Sequence, residues 1–414
     1  MNCEIIAVGS ELLTPYRQDT NSLFVTDRLY GLGVRVIFKT IVGDRKDHLV
    51  DAIQTALRRV DILILTGGLG PTEDDLTRPA VATALKIPLK RDPEIVAKLY
   101  ARFAARRTQM TPNNTRQGDR LENATILDNP NGTAPGQWLD TVYGGHRKLV
   151  ILLPGPPSEL QPMFDNECMP LLQSTLPPRF IARRTLKAAM IGESAADARI
   201  APIYQKYGDV ETTILAGTGD IQINLLCAKK AMDLAQHRVD ELAEKIEEEL
   251  DDSIYSSQAE TLEQIVLYYL EMRGATLAVA ESCTGGLMSE RLTRISGSSR
   301  SFLGGAVVYS NDLKTEFADV PRTLIDDYGV VSGEVAEAMA DGIRERVGAT
   351  FGCGITGIAG PGGGTEEKPV GLVYIAVSDG KHTDVLEKQF SGDRERVRQW
   401  ATQQALDMVR RRLM

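Results

Sequence analysis

Four times in this chain an apolar strand pattern runs straight into a glycine or proline turn. The stretches are DILILTGGLG (61–70), KLVILLPGPPSEL (148–160), ATLAVAESCTGG (275–286) and FGCGITGIAGPGGG (351–364). A buried strand delivering its carboxyl end to a loop, with a helix following, is the signature of strand–helix alternation around a largely parallel sheet. In such sheets ligands bind beyond the carboxyl ends of the strands. The loops are therefore the first places to look for chemistry.

The alternation fills two regions. Up to about 172, strand patterns EIIAVGSELL, VRVIFKTIVG and DILILTGGLG alternate with helix patterns NSLFVTDRLYGLG and DHLVDAIQTALRRV. From about 258 to 414 the alternation resumes, closing with a helix over RERVRQWATQQALDMVRRRL. Between them, 178–256 reads as a small α+β unit: short strands in RRTLKAAMIG and TTILAGTGDIQINLLCAK, then a long charged helix from 231 to 252. At 414 residues, two or three domains are expected. The fold class is multi-domain α/β.

Composition narrows the function. A net charge of −9 argues against a generic nucleic-acid binder. No apolar run reaches the length of a membrane span, and the opening MNCEIIAVGS reads as a strand, not a signal peptide. Five dispersed cysteines without a C-x-x-C spacing suit reduced thiols, so a cytoplasmic location is expected. Four histidines lack ligand spacing, so a zinc site is not expected.

The first candidate site is TGGLGPTEDDLTRPAV (66–81). Gly67, Gly68 and Gly70, with Thr72, would let backbone N–H groups approach a phosphate at a helix start. Asp74 and Asp75 follow at once. Carboxylates beside phosphate suggest a bridging divalent cation. The same residues also read as first-turn helix caps, a common place for aspartate. Asp19 and Asn21 in QDTNS, and Gly155 in LPGPPSEL, add two more turns to this region, readable as an N-cap and a rigid loop.

The second candidate is AESCTGG, which sets Ser282 beside Cys283 ahead of Gly285 and Gly286. N–H groups in this turn could hold an oxyanion. A serine nucleophile needs a base, and no histidine lies in a recognisable motif. Lys314 in YSNDLKTEF is the best candidate, with Asn311 as N-cap and Lys314 in the first helical turn. Its pKa would have to fall from about 10.4 toward neutrality, through burial and the positive helix end. An exposed helix lysine is the alternative. Cys283 is the rival nucleophile or a small buried hydrophobe, and neighbours on a turn are not both expected to face a substrate. Ser298, Ser299 and Arg300 in SGSSRSF, Thr356 and Gly360 in ITGIAGPGGG, and Arg394 in SGDRERVR suit an anionic ligand, or turns and solvated helix starts.

These residues carry a resemblance. EIIAVGSELL, DTN, VGD, LTGGLGPTEDDLT and LPGPPSE resemble the first domain of the CinA family, itself similar to the molybdopterin-binding MogA/MoaB fold. AESCTGGL, LTxxxGSS, FxGGxVxYSN, TGIAGPGGG and KPVGLVY resemble its C-terminal domain, which also occurs alone as nicotinamide mononucleotide deamidases. The resemblance implies a three-layer α/β/α domain over 1–172, a KH-like unit over 178–256 and a deamidase domain over 258–414. It implies hydrolysis of nicotinamide mononucleotide to nicotinate mononucleotide and ammonia without a cofactor. Ser282 would be nucleophile and Lys314 base, with Tyr309 and Thr356 supporting them, and Arg394 and Ser298/Ser299 on the phosphate or ribose. For the first domain it implies ADP-ribose cleavage to AMP and ribose 5-phosphate with cobalt or magnesium, and potassium. A homodimer is implied too. The alternative is a non-enzymatic nucleotide- or molybdopterin-binding protein linked to competence or DNA damage.

Overall fold

A computed structural model describes residues 1–177 and 180–414, so the expected start of the middle domain at 178 lies outside the described residues. Contacts divide the chain into two compact units: Met1–Ile181 with Ala228–Met232, and Ala182–Cys227 with Asp233–Met414.

The first unit is built on strands β1 (Asn2–Val8), β2 (Arg35–Val42) and β3 (Ile62–Thr66), with helices α1 (Asn21–Tyr30) and α2 (Lys46–Arg59) in the connections. The chain continues through α3 (Thr77–Leu85), a short ribbon of β4 (Leu89–Arg91) and β5 (Asp119–Leu121) around α4 (Pro93–Ala105), then β6 (Thr125–Leu127), β7 (Gly136–Tyr143) and β8 (His146–Leu153). Helices α5 (Pro157–Met163) and α6 (Met169–Thr175) follow. The sheet order is β2-β1-β3-β8-β7-β6. Its first four strands are parallel, and β7 and β6 join antiparallel. The largely parallel sheet expected from the alternation thus carries two strands in antiparallel pairing at one edge. Two apolar layers cover its faces, one around Ile53, Leu63 and Leu152 and the other around Ile5, Ile64 and Phe164. Strand β3 is buried at every residue, as a central strand covered on both faces requires.

The second unit opens with an antiparallel sheet from β9 (Phe180–Ala189), β10 (Val210–Gly217), β11 (Asp220–Lys229) and β12 (Ile254–Ser256), in the order β10-β11-β9-β12. Helix α7 (Glu193–Tyr204) and the long α8 (Met232–Leu250) pack on it through Ala196, Val239 and Ile246. The charge run of α8 is its solvated face, as its pattern suggests.

After α9 (Leu262–Met272) come β13 (Leu277–Glu281), α10 (Leu287–Thr293), β14 (Phe302–Val307), α11 (Asn311–Ala318), α12 (Arg322–Tyr328), α13 (Gly333–Val347) and β15 (Phe351–Gly357). Strands β16 (Leu372–Ser378) and β17 (Thr383–Gln389) and helix α14 (Arg394–Arg412) complete the chain. The order is β14-β13-β15-β16-β17, parallel across the first three strands and antiparallel thereafter.

The hairpin tip between β10 and β11 sits against α14. Thr218 Oγ1 donates to Gln399 Oε1 at 3.2 Å, and Gln403 Nε2 donates to the Gly219 carbonyl at 3.3 Å. A Cβ on Gly219 would lie 3.1 Å from the Trp400 ring. Below the tip, Arg291 binds Glu263 and donates to Gln403 at 2.7 Å, and Tyr255 donates to Asp220 at 2.7 Å.

Helix α13 lies close on β15 because Gly352 and Gly354 have no side chain to hold it off. A Cβ at Gly354 would stand 2.3 Å from the Ala336 carbonyl oxygen. Overpacking of a core typically costs about 1–3 kcal/mol. Gly354→Ala is therefore expected to lower the thermal midpoint by several degrees, read by calorimetry; an unchanged midpoint would show that α13 moves away freely.

Candidate active site

The carboxyl ends of β13, β14 and β15 open on a cavity of about 460 Å³, within the size range of small-molecule sites. Ser282, Cys283, Tyr309, Asn311, Lys314, Thr356, Gly360 and Arg394 all line it.

Lys314 Nζ donates to Ser282 Oγ at 3.1 Å and to the Val308 carbonyl at 3.0 Å. The residue is 2 % exposed, and no carboxylate pairs with it among the described residues. Burial lowers its pKa below the ordinary lysine value, against a smaller opposing effect of Cys283. An exposed helix lysine is ruled out. The N-cap, however, is Ser310, whose hydroxyl accepts from Leu313 N at 3.2 Å; Asn311 is the first helical residue. Ser310 has the extended backbone and short hydroxyl of a cap, and takes the role expected of its neighbour.

Contrary to expectation, Ser282 and Cys283 both line the cavity. Burial pushes the Cys283 thiol up to about 12, which keeps it from being a ready thiolate. Ser282 alone of the two receives the lysine amine.

The turn after Ser282 is held by a residue that motif reading passed over. Glu281 is wholly buried, and its carboxylate accepts from the N–H groups of Gly286 (3.1 Å), Met288 (3.1 Å) and Ser289 (2.8 Å) and from Ser289 Oγ (2.7 Å). Arg398 grips the other side, donating from Nε and Nη2 to the Thr284 carbonyl at 3.1 and 2.8 Å. Gly285 and Gly286 take φ of 61° and 91°, which is why glycines stand there. Their N–H groups are spent on Ser282 O and Glu281, so they are not the expected oxyanion donors. The N–H groups of Cys283 and Thr284 are the ones in the turn with no acceptor among the described residues.

The other expected residues divide. Tyr309 is exposed at the rim and accepts from Arg394 Nη2 at 2.7 Å, while Arg394 Nη1 donates to the Gly360 carbonyl at 2.9 Å. Thr356 gives its hydroxyl proton to the Val330 carbonyl at 2.7 Å, so it fixes the 328–331 turn and is no proton relay in this state. Ser298 and Ser299 do not line the cavity. They lie in a turn before β14, at the amino end of that strand, whereas the cavity is at the carboxyl end; Arg300 there binds Glu271 at 3.1 Å. Lys368, unremarked in the KPVGLVY motif, does line the cavity.

In the first unit, two cavities of about 380 and 360 Å³ share Gly67 and Gly155. Asp19 and Asn21 line one, and Gly68, Gly70, Asp74 and Asp75 the other. Asp19 accepts from Ser22 N at 3.0 Å and Asn21 Nδ2 donates to Gly155 O at 2.7 Å, joining two of the expected turns. Asp74 and Asp75 are not in a first helical turn, because α3 starts at Thr77. Asp75 accepts from Gly70 N (2.7 Å), Thr72 N (2.8 Å) and Thr72 Oγ1, so both its oxygens shape the glycine loop. Thr72 faces Asp75 and is not a lining residue. No group of three or more His, Cys, Asp or Glu suited to a metal occurs among the described residues. The saturated Asp75 does not fit a divalent ion; the exposed Asp74 is the freer ligand.

Three family models match the chain: the probable molybdopterin binding domain over 4–174, the damage-inducible protein CinA KH domain over 183–256 and the CinA C-terminal domain over 259–413. A CinA-like protein of Acidobacterium capsulatum is 68 % identical over 414 residues, covering 100 % of both chains. The chain belongs to the CinA family. A putative competence-damage inducible protein of Moorella thermoacetica is 43 % identical over 100 % of this chain and 99 % of its own. The crystal structure of competence/damage inducible protein CihA from Agrobacterium tumefaciens, 38 % identical, covers 36 % of this chain and 90 % of its own with a TM-score of 0.35. No helix among the described residues is long and apolar enough to cross a membrane.

The lowered pKa of Lys314 has a signature in stability. Between its folded pKa and the unfolded value of about 10.4, the unfolded chain binds a proton that the folded one lacks, so stability rises with pH there. The unfolding free energy of the wild type minus that of Lys314→Met, from denaturant titration, should therefore climb with pH toward that value, at up to about 1.4 kcal/mol per pH unit, then level off. A flat difference would mean that Lys314 is charged in the folded chain.

Proposed function

We propose that the C-terminal domain hydrolyses the carboxamide of nicotinamide mononucleotide, giving nicotinate mononucleotide and ammonia. The observation that carries this reading is the buried Lys314 amine, without a counter-charge among the described residues, 3.1 Å from the Ser282 hydroxyl. In its neutral form the contact reverses, and the hydroxyl donates to the amine lone pair.

Ser282 Oγ attacks the carboxamide carbon as its proton passes to Lys314 Nζ. The carbonyl oxygen becomes an oxyanion that the Cys283 N–H would stabilise, in the turn preorganised by Glu281 and Arg398. Collapse breaks the carbon–nitrogen bond, and the Lys314 ammonium returns its proton to the departing nitrogen as ammonia. Water then gives a proton to Lys314 and attacks the ester, and Ser282 recovers its proton as nicotinate mononucleotide leaves. Tyr309, exposed at the rim, offers a ring face to the pyridinium, and Arg394 offers charge to the phosphate or ribose.

Ser282→Ala should abolish ammonia release while Cys283→Ala retains it, and wild-type kcat/KM should fall at acid pH as Lys314 protonates. The reverse pattern in the two variants would make Cys283 the nucleophile.

The joined turns of the first domain favour a second reading there: binding and cleavage of ADP-ribose, with the 66–72 loop on the pyrophosphate. Since Asp75 is committed to Gly70 and Thr72, any cobalt or magnesium would rest on Asp74 and the nucleotide's own oxygens. The purified chain should release AMP from ADP-ribose with one of these ions, with potassium present, and stop on chelation. ADP-ribose binding without AMP under any ion would make this domain a nucleotide-binding module.

A further inference from the structure

The Ser298/Ser299 turn lies away from the cavity, so an anionic group on a ligand needs another cradle. No aspartate or glutamate lines the cavity, among the described residues, while Lys314, Lys368 and Arg394 do. Lys314 is held at the nucleophile. Arg394 and Lys368 are the remaining cations, and neither has an ion-pair partner among the described residues.

The glycine loop joins these two cations. At one end Gly360 gives its carbonyl to Arg394. At the other, Thr365 closes a tight turn with Lys368: Thr365 N donates to Lys368 O at 2.9 Å, and Lys368 N donates to Thr365 Oγ1 at 3.0 Å. Between them Gly362 and Gly363 line the cavity, and their N–H groups have no acceptor among the described residues. Lys368 Nζ spends two of its three N–H groups on the carbonyls of Tyr328 (2.7 Å) and Val331 (2.8 Å), which fixes the ammonium in place. A fixed cation, free backbone donors and a hydroxyl on one loop make a concave set of donors suited to the oxygens of a phosphate monoester.

We infer that the 362–365 loop and Lys368 form the phosphate subsite of this cavity, and that Lys368 makes the site select phosphorylated nucleosides over their unphosphorylated forms. This rests on the amidase reading above, which supplies the assay. Lys368 touches no reacting atom in this scheme; it determines specificity through the phosphate.

The test compares nicotinamide mononucleotide with nicotinamide riboside as substrates for wild type, Lys368→Met and Lys368→Arg. Losing a hydrogen bond to a charged group costs on the order of a 10- to 100-fold change. The ratio of kcat/KM for the mononucleotide to that for the riboside should fall by about that factor in Lys368→Met, mostly through KM, and recover in part in Lys368→Arg. On the wild type alone, ribose 5-phosphate should compete with the mononucleotide and ribose should not, which tests the subsite even if Lys368→Met does not fold. A wild type that releases ammonia from neither substrate overturns the amidase reading. A wild type that is active, with both substrates impaired equally in Lys368→Met, or with ribose competing as well as ribose 5-phosphate, leaves that reading standing and reduces Lys368 to a pin for the 328–331 turn.

Discussion

A buried amine with no counter-charge among the described residues is the constraint on which the C-terminal site depends. Lys314 rises from α11 and is itself buried, with its amine on the Val308 carbonyl and the Ser282 hydroxyl. Its only acceptors among the described residues are one hydroxyl and one carbonyl, both neutral. Transfer of a charged group into such surroundings is unfavourable, so the fold biases the amine toward the form that can take a proton. A carboxylate beside it would reverse that bias. The carboxylate next to Ser282 in the chain, Glu281, makes no ion pair with the lysine among the described residues and is spent on backbone N–H groups.

That use of a carboxylate recurs. In the first unit Asp75 gathers Gly70 and Thr72 as Glu281 gathers Gly286, Met288 and Ser289. In both places a glycine turn after a buried strand has N–H groups that need acceptors, and a carboxylate supplies two oxygens at once. The acid that looks free for a cation is thereby part of the loop's own scaffold. Adjacent aspartates are ambiguous in sequence for this reason: Asp74 and Asp75 differ only in which way a turn points them.

What the sequence made legible follows the same line. Strand–loop–helix order is written in local apolar runs and glycines, and it located the cavity at the ends of β13, β14 and β15 and brought Ser282, Lys314, Thr356 and Arg394 to it. The antiparallel additions β6, β7, β16 and β17 were hidden because a strand's pattern does not record its direction. Ser298 and Ser299 were misplaced because polar turns at the two ends of a strand look alike; only the chain direction of β14 separates them. Glu281 and Lys368 were missed because each acts through backbone groups, which carry no residue identity.

Helix α14 reaches the Ser282 turn and the glycine loop with Arg398 and Arg394 in its first turns, and just beyond them it receives the β10–β11 hairpin tip through Gln399, Trp400 and Gln403. The middle domain is thus a splint on the rod that carries both guanidiniums. Cutting the chain at residue 258 would strip that splint and leave Trp400, Gln399 and Gln403 without the partners that the hairpin tip gives them.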